Sequence, residues 1–179
     1  LNEKKILEFI NYEKDVDAFH SINQANLFSG NPSILPCTPL GIIELLKRYN
    51  IKIEGKHAVI VGRSNIVGKP LALMLLKENA TVTICHSKTE NLKNITKQAD
   101  ILISAIGKPE FIKADMVKEN SVIIDVGINR LDNGKLVGDI DFENVKDKVY
   151  AITPVPGGVG PMTIAMLMKN TLMVSKKLS

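Results

Sequence analysis

Short continuous apolar runs alternate with helically spaced apolar positions through the middle of the chain. Residues 57–62, "HAVIVG", form such a run, the pattern of a strand buried on both faces of a parallel sheet. Residues 70–80, "PLALMLLKENA", then read as a helix with Pro70 in its first turn, where a missing N–H costs nothing. "TVTIC" (81–85) predicts a second strand and "KTENLKNITKQA" (88–99) an amphipathic helix. "ILISAIG" (101–107) predicts a third strand, "ADMVKE" (114–119) a short helix and "SVIIDVGIN" (121–129) a fourth strand. Strands alternating with helices over short connections predict an α/β fold built on a doubly wound parallel sheet.

The flanks are less regular. Residues 6–11 are a short apolar stretch, and the polar segment 12–32 predicts one helical turn between turn residues. "PCTPLGIIELLKRYN" (36–50) carries a helix start, with Thr38 as cap, Pro39 at the first helical position and Glu44 in the early turns. Ile42, Ile43, Leu45 and Leu46 form its apolar face, and Asn50 ends it. Residues 130–142, "RLDNGKLVGDIDF", predict a hairpin around Asn133 and Gly134. "ITPVPGGVGPMT" (152–163) is too rich in Pro and Gly to be helix or strand. A last helix is expected from Thr163, with its apolar face at Ile164, Leu167, Met168, Leu172 and Met173.

Composition narrows the classes. At 179 residues, 45% hydrophobic and 23% charged, the chain can bury one substantial core or two small lobes. No run approaches the roughly 20 apolar residues of a membrane span, and the first residues lack the pattern of a secretory or transit peptide. Cys37 and Cys85 are far apart and unpaired in spacing, which argues for reduced thiols rather than a disulfide scaffold or a zinc site. That favours a cytoplasmic location, an organellar leader ahead of Leu1 being the alternative. The net charge of +4 is dispersed and aromatics are only 4% of the chain. Nucleic acid, membrane and metal are therefore not expected as partners.

The candidate chemistry lies in two loops. "GRSNIVGKP" (62–70) joins the first strand to its helix, where dinucleotide-binding folds keep a glycine fingerprint. Ser64 stands where the second glycine would be, and the closing Gly68 comes one residue late. A helix N-terminus there offers backbone N–H groups to phosphate, and Arg63 and Ser64 add a guanidinium and a hydroxyl. Gly62 permits the tight turn, and Gly68 permits the helix to pack close. The alternative is that Ser64 merely caps the helix and Arg63 is a solvated side chain. Some twenty residues on, an acid normally holds the ribose 2′-hydroxyl of NAD. Residues 83–89, "TICHSKT", contain none and offer His86, Ser87 and Lys88. A carboxylate would repel a 2′-phosphate, so NADP is expected rather than NAD. The second loop, "PVPGGVGPMT", has three prolines and three glycines in ten residues. It is stiff yet open to close approach by a ligand, with a cis bond possible at either Pro154 or Pro156.

Together these segments resemble the bifunctional methylenetetrahydrofolate dehydrogenase/methenyltetrahydrofolate cyclohydrolase family. The resemblance rests on "KDVDAFHSIN", "PCTPLG", "GRSNIVGKP", "ATVTICHSKT", "ADILISAIGKPEFI", "VIIDVGIN", "GDIDF" and "ITPVPGGVGPMTIAML", in family order from about residue 14 to 171. It implies a Rossmann-like sheet and NADP-dependent oxidation of 5,10-methylenetetrahydrofolate, followed by hydrolysis of the methenyl product to 10-formyltetrahydrofolate. It assigns Thr38, Gly62, Arg63, Ser64, Ser87 and Ile128 to the cofactor. Asp17 becomes the catalytic-site carboxylate that holds the pterin ring. Val155, Pro156, Gly157, Gly158, Val159, Gly160, Pro161, Met162 and Thr163 become the folate and nicotinamide-side loop. By residue type alone, Asp15 and Asp17 would be solvated turn acids.

The same resemblance divides the chain into the remnant of an α/β catalytic domain (1–37), the cofactor domain with its connecting helix (38–150), and a loop and helix returning to the catalytic domain (151–179). It also implies a homodimer. Two departures stand out. Ala18 follows "DVD" where the family has Gly, so a positive φ there would strain the backbone. The family's N-terminal tyrosine and lysine, which carry the hydrolysis, have no counterpart ahead of Leu1. Weak or absent dehydrogenase activity and no cyclohydrolase activity are expected of the 179 residues alone. Competing readings are another NADP-dependent dehydrogenase on this fold and a non-catalytic NADP-binding module or pseudoenzyme.

Overall fold

The computed structural model describes residues 2–178. In chain order they form α1 (Glu3–Phe9), α2 (Ser21–Phe28), α3 (Cys37–Arg48), β1 (His57–Val61), α4 (Gly68–Lys77), β2 (Thr81–Cys85), α5 (Leu92–Thr96) and β3 (Ile101–Ser104). A single 3₁₀ turn (Ala114–Met116) precedes β4 (Val122–Asp125), then β5 (Asn129–Arg130), β6 (Leu136–Val137), α6 (Phe142–Val145), β7 (Ala151–Ile152) and α7 (Val159–Leu178).

Five strands form one parallel sheet in the order β2-β1-β3-β4-β7, while β5 and β6 make the expected antiparallel hairpin. The continuous apolar runs are explained by burial on both faces. Ala58, Ile60, Ile101 and Ile103 pack with Leu71 and Leu75 of α4 and Ile42 and Leu46 of α3. Val59, Val61, Leu102 and Ile123 face the other way, against Ile112, Ile140 and Val145. Successive strand residues point to opposite faces, so each run feeds two cores.

Several elements differ from the pattern. Helix α5 covers only five of the twelve residues predicted, because Asn91 before it is left-handed (φ 52°) and breaks the approach. Residues 114–119 yield only the 3₁₀ turn. The polar N-terminal segment contains the two-turn α2, begun by His20, whose Nδ1 accepts from Ile22 N. Thr38 does not cap α3: the cap is Pro36, and Thr38 lies inside the helix. Helix α7 begins at Val159, inside the glycine-proline loop. Gly160 and Pro161 then occupy its first turn, where a missing N–H leaves no bond unmade.

The apolar face expected on α7 is a correction. Ile164, Met168, Leu172 and Met173 are exposed, and beyond Val159 at its start the buried positions are Met166, Asn170 and Val174. A polar residue lies at the centre of that buried face because carbonyls wait for it. Asn170 Nδ2 donates to Val16 O (2.8 Å) and Leu35 O (2.9 Å). The helix thereby ties the 15–18 loop and the start of α3 together.

Candidate functional site

The parallel order changes direction at β1, whose neighbours are β2 on one side and β3 on the other. Ligands of open α/β sheets bind in the crevice at the C-terminal strand ends of such a point. Here the crevice has a volume of ≈ 290 Å³ and is lined by Gly62 and Arg63 after β1, His86 and Ser87 after β2, and Ala105, Ile106, Lys108 and Phe111 after β3.

The glycines are required by close approach. Gly62 has φ 134°, and a Cβ on it would sit 2.5 Å from Ala105 O. A Cβ on Gly68 would sit 2.3 Å from Gly62 O, so the loop folds back on its own start. Ser64 closes the turn that leads into α4, whose cap residue is Val67. Ser64 Oγ accepts from Val67 N (3.1 Å) and Gly68 N (3.3 Å), and Lys69 N donates to Ser64 O. With Pro70 lacking a donor, the first-turn N–H groups of α4 are already satisfied. The expectation of free helix N–H groups is therefore corrected, and the polar side chains of the crevice carry the positive and donor groups. Arg63 supplies a guanidinium, Ser87 a hydroxyl and Lys108 an ammonium. His86 Nδ1 accepts from Lys88 N (3.1 Å), which leaves Nε2 as the donor of the neutral ring. Thr89 Oγ1 accepts from His86 N (2.8 Å) and holds this turn in place. Among the described residues, no acid lines the crevice.

Sequence inspection passed over Ala105, Ile106, Lys108 and Phe111. They follow β3, and only the strand order brings that loop beside Gly62. Lys108 Nζ stands 5.4 Å from the centroid of the Phe111 ring, a cation–π contact that holds the ammonium at the rim.

A second group gathers where α3 meets α7. Thr38 Oγ1 and Thr163 Oγ1 are 3.0 Å apart. Thr163 also donates to Val159 O, so Thr38 is the donor of the pair. Gly41 lets the helices touch, since its Cβ would meet the Met162 Cβ at 3.0 Å. Ile128, 63% exposed, reaches this group, its Cδ1 lying 3.8 Å from where a Cβ of Gly160 would be. Asp17 stands at the head of α3, with Oδ1 accepting from Cys37 N (3.2 Å). Asp15 organises the loop instead, accepting from Asp17 N, His20 N and Asn23 Nδ2. Burial, and after it the Asp17 carboxylate, push the Cys37 thiol up to about 12.

The glycine-proline loop does not present all its residues to one place. The Val155–Pro156 bond is cis, and Gly157 has φ 102°. Gly158 packs on the chain before it, a Cβ there falling 2.5 Å from Pro154 O. Val155 faces the β5–β6 hairpin side, Val159 is buried in the core, and Pro161 is exposed. Thr38 and Thr163 thus meet between α3 and α7, with Asp17 at the head of α3 and Ile128 beside Gly160, while Gly62, Arg63 and Ser87 line the crevice.

Residues 36–179 match the family described as tetrahydrofolate dehydrogenase/cyclohydrolase, NAD(P)-binding domain. The chain is 65% identical over 176 residues to the bifunctional protein FolD of Campylobacter hominis, covering 98% of this chain and 62% of that protein. Among solved structures, the bifunctional FolD methylenetetrahydrofolate dehydrogenase/cyclohydrolase of Campylobacter jejuni superposes with TM-score 0.96 at 56% identity, over 99% of this chain and 63% of that one. The Trypanosoma brucei methylenetetrahydrofolate dehydrogenase-cyclohydrolase, solved with NADP cofactor and an inhibitor, gives TM-score 0.93 at 38% identity, over 99% and 63%. The chain spans about three-fifths of the length of these relatives. On its sequence match and on the crevice that the match encloses, the chain belongs to the tetrahydrofolate dehydrogenase/cyclohydrolase family.

Proposed function

We propose that this chain binds NADP in the β1–β3 crevice and serves the oxidation of 5,10-methylenetetrahydrofolate to 5,10-methenyltetrahydrofolate. In a protein that carries the relatives' full length, hydrolysis to 10-formyltetrahydrofolate follows. The observation that carries the proposal is the lining of the crevice. Arg63, His86, Ser87 and Lys108 converge at its rim with no carboxylate among them, which suits a 2′-phosphate and disfavours a bare ribose diol. A side chain at Gly62 would collide with Ala105 O, so glycine is what lets the loops after β1 and β3 close up behind the crevice. The naming of the Trypanosoma brucei relative as an NADP complex supports the same choice.

When bound, NADP supplies the hydride acceptor. The chain's own task is then placement. Arg63 and Ser87 hold the phosphate end, and Ile128 and the start of α7 offer an apolar contact on the nicotinamide side. Asp17, half-buried and fixed at the head of α3, has a carboxylate suited to the paired donors of an aminopyrimidine edge. Juxtaposition of this kind is the main requirement of hydride transfer. A homodimer and a cytoplasmic location belong to the same proposal, the first to be checked by sedimentation.

Calorimetric titration with NADP and with NAD tests it. NADP is expected to bind at least roughly tenfold more tightly, and Arg63→Ala to remove most of that preference while leaving NAD almost unchanged, as loss of a charge-assisted phosphate contact predicts. A preference for NAD would refute the assignment.

A further inference from the structure

Two carboxylates lie buried side by side behind the crevice, with no ion pair to either among the described residues. Asp139 is 0% exposed and Asp125 3%. Asp139 collects donors from two loops at once. Its Oδ2 accepts from Ser104 Oγ (3.2 Å), Ile106 N (2.8 Å) and Gly107 N (3.3 Å). Its Oδ1 accepts from Lys108 N (2.9 Å) and Asn129 Nδ2 (3.0 Å). Asp125 in turn accepts from Asp139 N (2.9 Å), Ile140 N (2.9 Å) and Gly127 N (3.0 Å).

Two glycines make room for the pair. A Cβ on Gly127 would lie 2.1 Å from Asp139 Oδ1, and one on Gly138 would lie 1.8 Å from Asp125 Oδ2. Burying a carboxylate among dipoles costs several kcal/mol unless its lone pairs are filled, and Asp139 has five donors to fill them. All but one of those donors sit on β3 and the loop after it, whose residues Ile106 and Lys108 line the crevice. The fifth is beside Ile128.

We propose that Asp139 is a positioning residue for the dinucleotide, holding the crevice wall formed by residues 105–108 and the Asn129 loop in one preformed arrangement. This rests on the assignment of the crevice to NADP. Asp139 bonds to the backbone of the wall, Lys108 N included, whereas Arg63 and Ser87, which take the phosphate end, stand on the loops after β1 and β2, so its loss acts chiefly on the parts that NADP and NAD share. Asn at this position keeps one acceptor oxygen and turns an NH₂ toward amide donors, leaving them unpaired.

The test is calorimetry of NADP and NAD with the wild-type chain and Asp139→Asn, together with amide NMR of the unliganded proteins. Asp139→Asn is expected to weaken both cofactors, each roughly tenfold from lost charge-assisted bonds, with the NADP-to-NAD ratio changed far less than by Arg63→Ala. The amide signals of Ile106 and Lys108 are expected to move upfield as their carboxylate acceptor is lost. A merely structural Asp139 would lower the melting temperature without moving cofactor affinity in the folded protein. Unchanged affinity in a folded Asp139→Asn overturns the proposal while the NADP assignment stands. Wild-type protein that binds neither dinucleotide overturns the assignment and the proposal with it. Should Asp139→Asn not fold, Ser104→Ala and Asn129→Ala each remove one donor. Each is expected to weaken both cofactors about threefold, and unchanged binding in both variants counts against the proposal.

Discussion

Ala18 shows how far a single residue can be read from sequence. The departure from glycine was visible, and its φ of 56° confirms that the position is left-handed. Its consequence depends on packing that the sequence does not display. Ala18 is 2% exposed against Ile34 and Val174, so its methyl contributes about 0.8 kcal/mol of burial against roughly 1–2 kcal/mol of left-handed strain. These nearly offset. Ala18→Gly is expected to change unfolding free energy by less than about 1 kcal/mol, whereas Ala18→Val, β-branched and left-handed, is expected to lose more than about 2 kcal/mol. Urea unfolding of the two variants checks both. At Gly68 the outcome is one-sided, because the obstructing atom is backbone: Gly68→Ala is expected to cost on the order of 3 kcal/mol and to weaken cofactor binding along with stability.

At the scale of elements, helices and strands differ in how well pattern predicts them. The buried strands were legible because both faces are apolar and no choice of face arises. Helix α4 was legible because Pro70 and Ser64 mark its start. Helix α7 was legible as a helix but not in its orientation. Its apolar residues outnumber the buried positions, and its central buried residue is Asn170, which hydrophobicity would place in solvent. The contrast is measurable. Met166→Ala removes a buried side chain and is expected to cost about 2–4 kcal/mol. Met168→Ala, at 69% exposure, is expected to stay within about 0.5 kcal/mol. A loss at Met168 as large as that at Met166 would contradict the face assignment. Thr38 failed as a cap for a related reason: a Thr before a Pro suits several roles, and only the arrival of Thr163 from 125 residues away selects one.

For the whole molecule, pH reports on the buried acid pair. Burial drives Asp125 up to about 6, against the opposing pull of its backbone N–H donors. Its folded value thus lies above its unfolded value of 3.8. Between these two values the folded state keeps a proton that the unfolded state has released, so this group's contribution to stability falls as pH rises from about 4 to about 6 and stays low above. The full swing is on the order of 3 kcal/mol. Asp125→Asn, which cannot titrate, is expected to be less stable than wild type at pH 4, with the gap narrowing by pH 7. Urea unfolding at several pH values reads that gap, and a gap that widens with pH would contradict the assignment. Asp100, held low chiefly by its bond to Lys118, acts in the opposite sense and only below its ordinary range.

The sequence by itself determined the alternation of strands and helices, the hairpin at Asn133 and Gly134, the family, and the residues of the glycine loop and the turn after β2. Those features depend on local periodicity, on turn chemistry and on residues close together in the chain. Tertiary structure decided the rest. It chose the strand order that sets the Ala105–Lys108 loop beside Gly62 and gave the first-turn amides of α4 to Ser64. It also buried Asn170 rather than Met168, and joined Asp125 to Asp139. Each of these depends on which groups meet across long stretches of chain, where hydrogen-bond satisfaction and close approach outweigh the preference of any single residue.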